Sequence, residues 1–278
     1  MKEILKSQVK NLTAGNFMTK ATKNKWIANW WRLRKIDKEY YKKINRNNGV
    51  LIYTGERGAG KGVFSTHYLA NEIEKNKKIR VLYSNIRLDW QKYFTEKYEP
   101  IFFYRFRHKW KKKRDKLVKM AERKTIYFDD FQDFLDIIWD PKQCRNAMFY
   151  VDECHDYMSS DESNIRHENY DIIKAFFKNI RKLGVLWIGT SQVFNSIYLG
   201  IRDQTSTIGV CTTWFGKITR VRYYAGNNYH IDENRNVDGK HIDTRFIVHY
   251  PAIRMLYDTR ATVKARKHNV LRKLKARR

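Results

Sequence analysis

From residue 49 onward, short apolar runs alternate with longer stretches whose apolar residues recur at helical spacing. The runs predict strands at Val50–Tyr53, Ile79–Tyr83, Ala147–Val151 and Val185–Ile188. The periodic stretches predict helices between them. One passes through Tyr68, Leu69 and Ile73. Another carries Ile165, Ile172, Ile173, Phe176, Phe177 and Ile180 on one broad face. Strands alternating with helices imply an α/β fold with a mostly parallel sheet and right-handed crossovers. In such sheets ligands bind at the carboxyl ends of the strands.

Three regions depart from this alternation. Residues 1–48 place Trp26, Trp30, Leu33, Tyr40 and Ile44 at roughly helical spacing among Lys and Arg. This is either an amphipathic helix packed on the core or one facing a membrane surface or nucleic acid. Between the second strand and Ala147, an insertion over about residues 90–145 holds a dense basic run, Arg105 to Arg114, with seven Lys or Arg in ten residues. Such a run exceeds what solubility requires and favours phosphate contact over a plain solvated face. After Gln204, the runs Ile208–Phe215 and Ile218–Tyr224 flank Gly216-Lys217 and predict a β-hairpin.

Composition narrows the partners. The 278 residues carry 57 Lys and Arg against 29 Asp and Glu, a net charge of +28. Charge of that size speaks to polyanionic partners rather than to fold. Nucleic acid comes first and an anionic membrane surface second. The basic stretch 260–278 reads as a tail that orders on a polyanion. Cys144, Cys154 and Cys211 are too few and too scattered for a disulfide framework, which suits a reducing compartment. Cys154-His155 lacks the second close pair a zinc site needs. No signal peptide and no apolar run of spanning length is visible, so a soluble or membrane-peripheral protein is expected.

The chemistry concentrates after the first strand. Gly55-Glu56-Arg57-Gly58-Ala59-Gly60-Lys61 sits between an apolar run and a helical pattern. A strand, a glycine-rich turn ending in Gly-Lys and then a helix is the context of a phosphate-binding P-loop. Glycines let backbone N–H groups point at phosphate oxygens, the helix N-terminus adds positive charge, and Lys61 reaches the β- and γ-phosphates. Gly55, Gly58, Ala59, Gly60, Lys61, Gly62 and Val63 are therefore the expected ATP contacts. Gly62 stands where a Ser or Thr hydroxyl normally binds Mg²⁺, and Ser65 and Thr66 lie a turn further on.

About ninety residues later, the strand ending Phe149-Tyr150-Val151 runs into Asp152-Glu153. Asp152 is the expected Mg²⁺ ligand and Glu153 the general base that polarises the attacking water. Gly189-Thr190-Ser191-Gln192 follows the next strand. Gln192 is expected beside the γ-phosphate, orienting the water, while the plainer reading makes Thr190 or Ser191 a helix N-cap. Arg181 and Arg202 are candidates to stabilise charge on the γ-phosphate, a role often supplied by a neighbouring subunit, while the plainer reading of either one taken singly is a surface salt bridge. Arg202 is taken as the catalytic one.

The order of these motifs, together with Arg181-Lys182-Leu183-Gly184, Ile201-Arg202 and Tyr257-Asp258-Thr259, resembles the zonular occludens toxin-like family. That family is similar to the filamentous-phage assembly ATPases within the FtsK–HerA branch of P-loop translocases. The resemblance spans about residues 49–260. It implies a RecA-like ATPase core over 49–259, with Lys61 as Walker A lysine, Asp152 and Glu153 as Walker B, and Gln192 as polar sensor. It also implies a homo-oligomeric ring that uses ATP and Mg²⁺ to export or package phage DNA, in the host cytoplasm and peripheral to the inner membrane. Two departures stand out: Gly62, and a basic tail where many members place a transmembrane segment.

Two other functions fit parts of the chain. Gly58 to Gly62 resembles the adenylate-kinase form of the loop, although Val63 replaces the usual Thr and the kinase reading gives Asp152-Glu153 no role. A non-catalytic nucleic-acid-binding protein with a relic P-loop is the other, and the intact Lys61, Asp152 and Glu153 speak against it.

Overall fold

The computed structural model describes residues 49–98, 107–156, 158, 167–226, 229–231, 237–249 and 251–256. The expected N-terminal helix, Tyr257-Asp258-Thr259 and the basic tail lie outside the described residues.

The first strand, β1, is Gly49–Thr54, and the helix α1, Lys61–Lys75, leaves the glycine-rich turn that follows it. The chain continues through β2 (Val81–Ser84), α2 (Trp90–Tyr98), α3 (Arg107–Lys124), β3 (Thr125–Tyr127), α4 (Phe131–Trp139) and the short α5 (Pro141–Cys144). Then come β4 (Ala147–Val151), α6 (His167–Asn179), β5 (Leu186–Ser191) and the single turn α7 (Leu199–Arg202). The hairpin of β6 (Thr205–Trp214) and β7 (Ile218–Ala225) follows, with a small pair β8 (His230–Ile231) and β9 (Val237–Asp238), then β10 (His241–Val248) and α8 (Pro251–Leu256).

Eight of these strands form one sheet in the order β10-β7-β6-β1-β5-β4-β2-β3. The six from β6 to β3 are parallel, and β7 and β10 extend the sheet in antiparallel pairs. This is the expected α/β, RecA-like P-loop architecture, with one strand interposed between the phosphate-loop strand β1 and the carboxylate strand β4.

The middle stretches of the central strands, Val50–Tyr53, Ala147–Val151 and Leu186–Ile188, are continuously apolar because both faces are covered. Leu51, Tyr53, Met148, Tyr150 and Ile188 pack toward α1, α2 and α8 with Phe64, Leu69, Phe94 and Ile253. Val50, Ile52, Phe149, Val151 and Trp187 pack the other way, against Phe134, Ile173, Phe176 and Phe177 of α4 and α6. Trp187 is fully buried and stacks on Phe149 at 5.4 Å between centroids.

Several boundaries differ from the sequence reading. The second strand starts at Val81, because Ile79 closes a turn onto Asn76 and its carbonyl accepts from Lys124 Nζ at 2.6 Å. The region read as an insertion is built into the core. Its three-residue β3 pairs with β2 at the sheet edge, and Val118 and Ala121 of α3 join the buried face. Lys111, Lys112 and Lys113 of its basic run are exposed, while Arg105 and Phe106 lie outside the described residues. On the α1 side the half-buried Glu74 carboxylate meets Lys97 at 2.6 Å and the Tyr98 hydroxyl. Burial alone would raise its pKa, but Lys97 and Tyr98 outweigh burial and hold it below the usual range.

Candidate nucleotide site

The phosphate loop leaves β1 where strict alternation ends. Gly55, Gly58 and Gly60 have φ of 145°, 81° and 85°, in the region glycine tolerates and other residues resist. A tight turn closes with Ala59 N donating to Glu56 O at 3.0 Å. Gly60 then starts α1 without a side-chain cap, so the first N–H groups of the helix are left to a ligand at the loop. Lys61 is buried, and its ammonium donates to Gly55 O at 2.9 Å and Glu56 O at 3.2 Å, which holds it over the loop. The loop rests on the hairpin: a Cβ on Gly55 would meet the Cys211 carbonyl at 2.7 Å, and one on Gly60 the Thr219 hydroxyl at 2.0 Å.

Ser65 and Thr66 do not substitute for the hydroxyl missing at Gly62. Thr66 Oγ1 donates to Gly62 O at 2.6 Å, and Ser65 Oγ is shared between Gly62 O and Tyr150 OH. Both are turned into the helix and core, away from the loop.

The carboxylates arrive by strand alternation. Tyr150 faces α1, so Asp152, two residues on, points to the same side as the phosphate loop. Its backbone is clamped by Asn85, whose amide exchanges two 2.8 Å hydrogen bonds with the Asp152 N–H and carbonyl. Its carboxylate accepts from Thr190 Oγ1 at 2.6 Å, and the same hydroxyl accepts from Glu153 N at 2.9 Å. Glu153 has φ 48°, unusual for a residue with a Cβ, and such strain gathers at functional sites. Its buried Oε2 has no hydrogen-bond partner among the described residues, and His155 Nδ1 stands 3.5 Å away. His155 is itself tied to Ser191 Oγ at 3.2 Å.

Thr190 and Ser191 are not helix caps. They lie inside β5, fully buried, with Ser191 level with Thr54 of β1. Gln192 is the first residue beyond that strand and is exposed beside the start of the phosphate loop, where its carbonyl accepts from Thr54 Oγ1 at 3.4 Å.

This fold is similar to that of the N-terminal domain of zonular occludens toxin. The match is to the Neisseria meningitidis protein, with 10% identity and a TM-score of 0.44, covering 76% of this chain and 100% of that one. A genome-packaging NTPase, B204 from Sulfolobus turreted icosahedral virus 2, in complex with ATP-gammaS, matches at 10% identity and TM-score 0.40, over 69% of this chain and 95% of that one. The flagellar accessory protein FlaH from Methanocaldococcus jannaschii matches at 14% identity and TM-score 0.43, over 73% and 95%. No family model and no curated protein sequence matches the chain.

Lys61, Asp152, Glu153 and Gln192 thus share one end of the sheet. Arg202 does not join them. It ends α7, and β6 begins three residues later at Thr205, level with Val50 at the start of β1. That is the amino end of the strands, about 15 Å from the phosphate loop at the usual rise per residue. Arg181 is at the same end, beside Gly49. Neither reaches the phosphate site of its own chain.

The residues fit Mg²⁺-bound ATP with a short protein ligand set. Asp152 would supply the carboxylate, Gly62 has no side-chain ligand to offer, and water with the nucleotide's own phosphates would complete the shell. Among the described residues no cluster of three His, Cys, Asp or Glu forms a metal site of its own, and no helix is long and apolar enough to cross a membrane. Asn85, Thr190 and His155 are the site residues that sequence reasoning missed. Thr190 carried a signal, a polar residue at an alternating inward position, but looked like part of a loop.

Proposed function

We propose that this chain is an ATPase that uses hydrolysis to move viral or phage DNA, in packaging, export or virion assembly. One observation carries the hydrolytic reading: Asp152 and Glu153 are held by Thr190 on the strand that lies between them and the phosphate loop. Lys61 and the N–H groups at the start of α1 bind and orient the phosphates. Mg²⁺ at Asp152 supplies neutralisation of the phosphate charge. Glu153 Oε2, free of other hydrogen bonds among the described residues, accepts the proton of the attacking water, and Gln192 orients that water. Because Arg181 and Arg202 sit away from their own site, an arginine acting from either position serves a neighbouring subunit, in keeping with a homo-oligomeric ring. The net charge of +28 supports DNA as the polymer moved. Work in the host cytoplasm, peripheral to the inner membrane, is part of the same proposal.

ATP turnover with and without DNA is the deciding measurement. Turnover should rise with DNA and vanish in Lys61→Ala. Turnover that survives Lys61→Ala, or no DNA binding, would overturn the proposal. Phosphate transfer to AMP in place of hydrolysis would assign kinase chemistry instead.

A further inference from the structure

The hairpin of β6 and β7 runs past the phosphate loop and ends in a turn of unusual composition. Lys217 N donates to Trp214 O at 3.1 Å, and Phe215 and Gly216 have φ of 52° and 60°. Both central residues have positive φ, as in a type I′ turn, where Asn, Asp or Gly is favoured. Phe215 is strained there and is 93% exposed. Neither turn chemistry nor core packing accounts for a phenylalanine at this position.

The two faces of the hairpin differ. Thr219, Val221 and Tyr223 face α1, and the phosphate loop packs on Thr213 and Thr219. Alternation puts Arg220 and Arg222 on the opposite face, level with Thr212 and Val210 of β6 and with Phe246 and Thr244 of β10. There the Arg220 guanidinium lies 5.0 Å from the Trp214 ring, and Phe246 lies 5.6 Å from the same ring. The Nε atoms of Arg220 and Arg222 have no acceptor among the described residues. The alternating positions of β6, β7 and β10 on this face carry no carboxylate. Burial, with the neighbouring Arg222 charge, depresses the pKa of Arg220, as expected of two cations with no anion beside them among the described residues.

We propose that this face, with Phe215 at its tip, binds single-stranded nucleic acid. Arg220 and Arg222 take backbone phosphates, and Trp214 and Phe215 stack on bases. Charge complementarity selects the occupant. Residues 1–48 hold 13 Lys and Arg against 3 Asp and Glu, so the chain's own N-terminus is repelled, as is the same basic face of a second copy. Exposed aromatics select unpaired bases, whose faces a duplex hides. The position is apt for coupling, since the phosphate loop touches the other side of the same two strands. This inference rests on the nucleic-acid part of the proposed function and not on hydrolysis.

The test uses the full chain without nucleotide and a fluorescein-labelled oligo(dT), with anisotropy followed across a salt series. The Arg220→Gln, Arg222→Gln pair should make the slope of log K against log salt shallower by about 1.4, the value for two phosphate contacts on a single strand. Trp214→Ala and Phe215→Ala should each weaken binding by about 5- to 100-fold with the slope unchanged. The exposed Phe215 makes its variant safe for folding, so the stacking arm is readable even if the arginine pair fails to fold. The proposal falls if wild type does not bind oligo(dT), or if both aromatic variants bind as wild type does. It also falls if the slope change appears instead in Lys111→Gln, Lys112→Gln on α3, or if duplex DNA or polyglutamate competes as well as unlabelled oligo(dT). Binding with these signatures in a protein that does not hydrolyse ATP would sink the motor reading and leave this one standing.

Discussion

Thr190 Oγ1 lies 2.6 Å from Asp152 Oδ1 and donates to it, joining the middle of the sheet to the carboxylate proposed to hold Mg²⁺. The same hydroxyl accepts from Glu153 N, so one buried oxygen orders both acidic residues. Thr190→Val keeps the shape and removes both bonds, at a cost of about 1–3 kcal/mol. ATP turnover over a Mg²⁺ series should show a higher half-saturating Mg²⁺ and at least tenfold slower turnover, with Thr190→Ser close to wild type.

Glu153→Gln is nearly isosteric and removes the proposed proton acceptor. Nucleotide affinity should stay within a few-fold, while turnover drops by about 10²–10⁴. Equal losses in binding and turnover would instead mark Glu153 as a structural residue.

Gly60 cannot carry a side chain. At φ 85° an added Cβ would sit 2.0 Å from Thr219 Oγ1 and 2.6 Å from Thr213 Oγ1. Gly60→Ala should abolish nucleotide binding and destabilise the fold by about 2–4 kcal/mol. Equilibrium titration with a fluorescent ATP analogue and urea unfolding read the two effects separately.

Gly62→Ser restores a hydroxyl at the position next to Lys61. Because Ser65 and Thr66 are engaged with Gly62 O, no other helix hydroxyl competes for the metal. The variant should keep or raise Mg²⁺ affinity and gain up to about 0.5 kcal/mol from replacing a helical glycine with serine. Weaker metal binding in the Ser variant would mean that this loop's metal shell excludes a hydroxyl.

His67 makes stability depend on acid. Burial, with the Lys97 and Lys75 charges nearby, pushes its pKa from 6.5 down to about 3, and Asn71 Nδ2 holds its Nε2 at 3.0 Å. The unfolded chain therefore binds a proton below pH 6.5 that the folded chain refuses. The neutral side chain is free of this penalty above pH 6.5, and its contribution is lost as pH falls toward 3, at about 1.4 kcal/mol per unit. Urea unfolding at pH 7.5, 6 and 5 should show a shallower decline in His67→Gln than in wild type.

The sequence by itself determined what depends on near neighbours. The phosphate loop needs only its glycines and Lys61 between a strand and a helix. Asp152 and Glu153 need only the end of an apolar strand. The central strands were legible because burial on both faces makes their middle stretches continuously apolar. Only the tertiary structure decided which strand lies between β1 and β4, since that order comes from pairing residues more than a hundred positions apart, such as Thr54 with Ser191. Once paired, Thr190 and Ser191 became strand rather than cap, and Thr190 met Asp152. The same pairing put Arg202 at the amino end of the sheet, because β6 must start level with β1 to run parallel to it. It also laid the hairpin under the phosphate loop, leaving Arg220, Arg222 and Trp214 on the face turned away from it and Phe215 at the tip. No local pattern encodes these relations, because each depends on the register of strands distant in the chain.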